Sequence, residues 1–417
     1  MTATASGWGL LRSPSFRVYW LSGLVSGTGT WVHNVTASVL MLTLTGSAFM
    51  VGLVSAATYL PMLLLSLPAG ALSDRFDRRR VVVATQSAAL LVAVALAVSS
   101  ATGHLRPVAL LVSCFLIGSV YAVAKPSLSA MLPALVPRRD LVDATAFNIL
   151  QFNLGQVVGP ALATVILLGG SPAWAFGLNA VSFVVQILAV RALPAEAGGR
   201  PDPAEAPAPR RAGGVVAGLR FIRTTAPMPA VLVAVVLCNA PVEALRTLAP
   251  TVSREILRGE GAVAGIIIMA YSLGALAGLL TFSHVRRRAS AAVLLGTSFG
   301  LQLAGLAGLA MASTLAVVVA AAVPVGVGFS LAVPVLNGGL QQLAADHVRG
   351  RVMATFSMAH LGSRPFFAVA AGGVASLGGA RVAFGAFAVL AAGALAFAWA
   401  RGPGATIWAA EEEAARS

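Results

Sequence analysis

The chain predicts an all-α polytopic membrane protein with twelve transmembrane helices arranged as two sets of six. Three observations predict it. Hydrophobic residues fill 58% of the 417 positions and charged residues only 10%, too few to cover a water-exposed surface. The apolar residues gather in stretches of about 18–25, the length an α-helix needs to cross the hydrocarbon layer. Six such stretches precede a proline-rich polar segment and six follow it.

In chain order the expected spans are 18–42, 48–72, 81–100, 107–124, 143–168 and 173–193, then 229–252, 262–284, 289–311, 314–339, 352–376 and 379–400. Residues 1–193 are expected to form one six-helix bundle and 229–401 the other, with a cytoplasmic tail at 402–417. Between the bundles, 194–211 carries five prolines and alternating charges, a composition that cannot bury a core and reads as a hinge. Within 194–228, Val215, Leu219 and Ile222 recur at helical spacing beside Arg220 and Arg223. That pattern fits either a short surface helix with its arginines reaching headgroups or an ordinary connector.

The net charge of +14 would suggest a nucleic-acid partner in a soluble chain. Its distribution gives another meaning, and no nucleic-acid partner is expected. With both termini in the cytoplasm, 22 of the 28 Lys and Arg residues fall on the cytoplasmic side, four outside and two within spans. This is the positive-inside bias, and it fixes the orientation in a bacterial inner membrane. The first apolar stretch is too long for a cleavable signal and lacks a cleavage site. Cys114 and Cys238 stand in separate spans without metal-ligand spacing, so neither a disulfide nor a metal site is expected.

The halves echo each other at an offset of 208 residues. Gly70 and the triplet Arg78-Arg79-Arg80 recur as Gly278 and Arg286-Arg287-Arg288, and Pro126 recurs as Pro334. A six-plus-six repeat is the pattern of transporter folds with a site between the halves.

The loop Gly70-x3-Asp74-Arg75-x-Asp77-Arg78-Arg79 resembles the GxxxDRxGRR signature of the major facilitator superfamily, with Asp77 in place of the second glycine. The resemblance implies the major facilitator fold and a loop that locks one of two alternating conformations. A glycine at a span end allows close helix approach, and an Asp can cap a helix while arginines grip carboxylates and headgroups. In the second copy Phe282 and Ser283 replace the Asp-Arg pair, so that lock is expected to be lost.

Gly155-x3-Gly159-Pro160 in the fifth span resembles the GxxxGPxxGG motif of drug and proton antiporters, with Ala163 and Thr164 at the terminal glycines. Tight packing alone also explains small residues at this spacing. Residues 132–160, with Trp31 and Leu44-Thr45-Gly46-Ser47, resemble the enterobactin-exporter and macrolide-efflux branch, although Gln156 stands where that branch has arginine. The resemblance implies export of a small, partly apolar molecule by proton antiport, without a cofactor and as a monomer. Metabolite import is the alternative within transport. A non-transporting receptor or enzyme finds no support in HExxH, Gly-x-Ser-x-Gly or Walker patterns, none of which occurs.

Ionisable groups at membrane depth mark functional candidates. Glu243 and Arg364 each lie about 20 Å from the inner face at 1.5 Å rise per residue. Arg246 stands one turn from Glu243, and His360 shares the Arg364 face. Three readings of Glu243 are open: a proton-coupling carboxylate, a permanent structural partner of Arg364, or a residue meeting external water. The first half has no acid at this depth. It offers His33 and Asn34 in span one and Asn148, Gln151, Asn153 and Gln156 in span five, as ligand contacts or as interhelical hydrogen bonds.

Overall fold

The computed structural model describes residues 7–199, 220–225, 228–257, 263–344 and 346–400. Most of the expected hinge, Val215, Leu219 and the 402–417 tail lie outside the described residues, as does the side chain of Asp74. Residues 220–224 are helical.

Among the described residues the regular structure is all helical. The first six long helices are α1 Pro14–Thr45, α2 Ala48–Arg75, α3 Arg78–Ala101, α4 Pro107–Met131, α5 Leu141–Gly169 and α6 Pro172–Ala192. The rest are α7 Met228–Glu255, α8 Val263–Arg286, α9 Ala291–Met311, α10 Leu315–Leu343, α11 Asp346–Gly362 and α12 Arg364–Ala400. Among the described residues ten helices are long and apolar enough to cross a membrane. One of the ten, 348–400, covers two expected spans, and α1, rich in Ser, Thr and Gly, is not counted; the arrangement accords with twelve crossings.

Local chemistry explains the helix starts. Asp77, the departure from the loop signature, is the N-cap of α3, its carboxylate accepting from Arg80 N–H at 2.8 Å. Ser171, Ser290 and Thr314 cap α6, α9 and α10 in the same way. Pro107 and Pro172 occupy first turns, where a missing N–H costs nothing.

The last two expected spans are divided differently. The helix breaks at Ser363, two residues before Pro365, which has no N–H to offer Leu361. It resumes at Arg364 and continues to Ala400, turning only at Gly379, whose φ of 80° suits glycine.

By contacts the chain forms two compact units, 1–37 with 60–210 and 38–59 with 211–417. The boundary therefore departs from the expected 1–193 and 229–401 halves at the α1–α2 hairpin. Within the second unit, small residues let that hairpin approach the other helices. A Cβ at Gly52 would lie 3.2 Å from the Ala368 carbonyl carbon, and one at Gly372 within 3.1 Å of Phe49 Cα. Arg254 also donates to the carbonyls of Leu42 at 3.4 Å and Gly46 at 3.2 Å.

Each unit has its own core. Phe16, Trp20, Val82, Met131 and Phe147 pack together in the first; Met228, Leu294, Phe299, Leu336 and Phe356 do so in the second. In the first unit, Gly155 and Gly159 let α5 lie against α1: a Cβ at Gly159 would meet Trp31 Cβ and come within 3.0 Å of Thr28 O. In the second, Gly274 on α8 and Gly326 on α10 face each other's backbones.

Candidate functional site

The second unit brings Glu243 and Arg364 together. Glu243 on α7 is fully buried, which removes the reading that exposed it to water. Its Oε1 lies 3.5 Å from Arg364 Nε and 3.9 Å from an Arg246 guanidinium nitrogen. Both arginines are themselves about nine-tenths buried. A tight buried pair makes charge-assisted hydrogen bonds at about 2.7–2.9 Å. Here neither Glu243 oxygen accepts a hydrogen bond, so the carboxylate is held by charge at longer range. Two arginines against one glutamate leave the cluster with an excess positive charge.

Two tyrosines surround it. Arg364 lies over the Tyr59 ring, 5.1 Å from its centroid, and Arg246 over Tyr271 at 4.9 Å. Arg246 also donates to the Tyr59 hydroxyl at 3.4 Å. Asn239, one turn before Glu243, donates to Ser363 Oγ at 3.2 Å, linking α7 to the break that presents Arg364. Tyr59, Tyr271 and Asn239 were not among the expected site residues, because membrane-depth ionic residues were the signal that pointed there. His360 stacks its ring on Phe329 and Phe356, with centroids 5.9 and 5.7 Å apart.

The first unit holds a pocket of about 140 Å³ among α1, α3, α4, α5 and α6. Tyr19, Trp31, Tyr121, Phe152 and Phe183 give it aromatic walls. Gln86, Asn148, Gln151 and Gln186 supply amides, and Lys125 a cation. The Tyr19 hydroxyl donates to Leu128 O at 3.1 Å and accepts from Asn148 at 3.4 Å, while the Gln151 amide donates to Trp20 O. All four tyrosines of the chain therefore stand in one polar site or the other.

Of the first-half candidates, Asn148 and Gln151 line this pocket, whereas His33, Asn34, Asn153 and Gln156 do not. His33 is buried 3.8 Å from Cys114 Sγ and edge-on to Phe176. Asn153 donates to Ile149 O of its own helix at 2.8 Å, a bond along the helix rather than into the pocket. Gln156 is buried in α5 and Asn34 half-buried in α1.

The loop after α2 grips helix ends within the first unit. Arg78 donates to Ala130 O at 3.1 Å, near the end of α4. Arg79 donates to Leu193 O at 2.5 Å and Pro194 O at 2.6 Å, just past α6. Cations at helix C-termini complement the unpaired carbonyls there. Arg75 is exposed. In the second copy Arg287, just past α8, donates back to Ser283 O of that helix at 3.3 Å, and Arg286 donates to Ala289 O at 3.4 Å.

The family model described as "Transmembrane secretion effector" matches residues 5–412. The chain is 28% identical over 309 residues to the enterobactin exporter EntS of Shigella boydii serotype 4 (strain Sb227), covering 71% of each protein. Its fold is similar to that of the nucleoside transporter NupG, with a TM-score of 0.74 at 12% identity, over 93% of this chain and 98% of that one. A bacterial homologue of the human lysosomal transporter Spinster, inward-facing and occupied, gives 0.71 at 13% identity over 94% and 97%.

Proposed function

Because the chain belongs to the transmembrane secretion effector family of the major facilitator superfamily, we propose that it exports a small, partly apolar organic molecule in exchange for protons. It is a secondary transporter embedded in the membrane by multiple spans, and not an enzyme. The coupling residue in this reading is Glu243, and the observation that carries it is the loose geometry of the buried cluster. A carboxylate 3.5 Å from Arg364 and without a hydrogen bond can take a proton and release the arginine, whereas a bidentate pair would resist. Alternating access in this reading moves the first compact unit against the second, with residues 38–59 travelling with the second and the 194–228 connector joining them.

The relative's name suggests enterobactin as the first cargo to try, with ethidium as a drug-like comparison. In everted vesicles energised to an acidic interior, adding either one to an active exporter is expected to relieve the quenching of a pH-sensitive acridine dye. Transport without dequenching would remove the proton from the mechanism. Uptake into right-side-out vesicles together with protons would reverse the direction. The orientation carries its own expectation: a green fluorescent protein fused after Ser417 should fluoresce, and an alkaline phosphatase fused there should be inactive. The opposite pair of results would invert the topology.

A further inference from the structure

Lys125 is the one lysine of the chain, against 27 arginines. The charge pattern of the sequence assigns it to the cytoplasmic loop after span four, which was expected to end at residue 124. Instead α4 continues to Met131 and carries Lys125 six residues inside its end. At 1.5 Å per residue that is about 9 Å of helix. Gln86, Asn148 and Gln186 lie six to eight residues from the corresponding ends of α3, α5 and α6, so the polar side chains of the pocket share this depth. These are the helix ends at which the arginine loops after α2 and α4 gather.

The lysine turns toward the rings of the pocket. Its ammonium nitrogen is 5.7 Å from the Tyr121 centroid and 5.8 Å from that of Phe152. No carboxylate among the described residues pairs with it. The same pocket is lined by two acceptors without donors. Gln86 is 5% exposed and its Oε1 has no hydrogen-bond partner, nor does the buried Oδ1 of Asn148. An unpaired buried acceptor is costly until a donor arrives.

We propose that this pocket is a cargo site for hydroxylated aromatic acids: the anionic group meets Lys125, the ring lies against Tyr121 and Phe152, and hydroxyls donate to Gln86 and Asn148. Each part of that ligand answers one feature of the wall. A neutral apolar drug would leave the cation and both acceptors unmatched, and a sugar would leave the rings unmatched. The inference rests on the transport reading for its meaning as a cargo site, but the recognition itself needs no gradient.

The test is equilibrium binding to the purified full chain in lipid nanodiscs, with 3,4-dihydroxybenzoate, its neutral amide 3,4-dihydroxybenzamide, and unsubstituted benzoate as probes. The wild type is expected to prefer the dihydroxybenzoate over its amide by about tenfold or more, the scale of a hydrogen bond to a charged group. Lys125→Gln should erase that preference by weakening the acid while leaving the amide within about twofold, which also shows that the variant is folded. Lys125→Arg should keep the preference. Gln86→Leu should weaken the dihydroxybenzoate and spare benzoate. Absence of acid preference in the wild type, or equal loss of acid and amide in Lys125→Gln, would overturn the proposal. If the acid preference depends on Lys125 but no export is seen in vesicles, the transport reading fails and the binding site stands.

Discussion

Glu243→Gln is expected to abolish export driven by a pH gradient while leaving cargo binding intact. Glutamine keeps the shape of the side chain and loses the proton exchange. The same substitution removes the one negative charge from a buried cluster with two arginines, each about nine-tenths buried. Arg364 also opens α12, at the end of the helix where the backbone dipole already carries about half a positive charge. Leaving it there without Glu243 costs about 3–5 kcal/mol if the pair is chiefly structural. The two roles therefore separate by stability. A coupling role gives a protein that folds and binds but does not respond to the gradient. A structural role gives reduced expression and a lower unfolding midpoint, restored by adding Arg364→Gln. Full gradient-driven export by the single variant would sink both accounts.

Gly326→Ala is expected to lower the unfolding midpoint of the purified protein and, with it, transport. A Cβ at this position would meet Tyr271 O, and would stand 2.7 Å from Ala275 N and 3.1 Å from Gly274 C. All three are backbone atoms of α8, so no side chain can swing aside; the helix itself must shift. Overpacking of this kind costs about 1–3 kcal/mol. The displaced turn includes Tyr271, whose ring lies beneath Arg246, so the disturbance reaches the charged cluster. Gly338→Ala on the same helix is the control, since a Cβ there has open space and alanine favours the helix. Equal midpoints for the two variants would refute the packing argument.

Hydropathy and charge distribution made the class, the expected spans and the arginine loops legible in the sequence. Depth arithmetic alone placed Glu243 and Arg364 level with each other, and they are paired at 3.5 Å. What escaped has physical reasons. Span four was expected to end at residue 124, yet α4 runs on to Met131 and carries Lys125 and Pro126 inside it. Tyrosine does not announce itself by charge, and its hydrogen bonds depend on which helices meet. His33 sits against Cys114 and Phe176, and Asn153 bonds back to Ile149 of its own helix, which depends on helix rotation that a single sequence does not fix. Asp77 looked like a defect in a signature and is the cap that starts α3.

The placement of the tyrosines has a practical consequence. With only four in the chain and each in a polar site, biosynthetic incorporation of 3-fluorotyrosine installs fluorine reporters at both sites and nowhere else. A fluorine spectrum would then hold four resonances, two answering to events around Lys125 and two to events around Glu243. Ligand addition and pH titration can thus be read separately in a single sample, without cysteine engineering and without background from the lipid-facing helices.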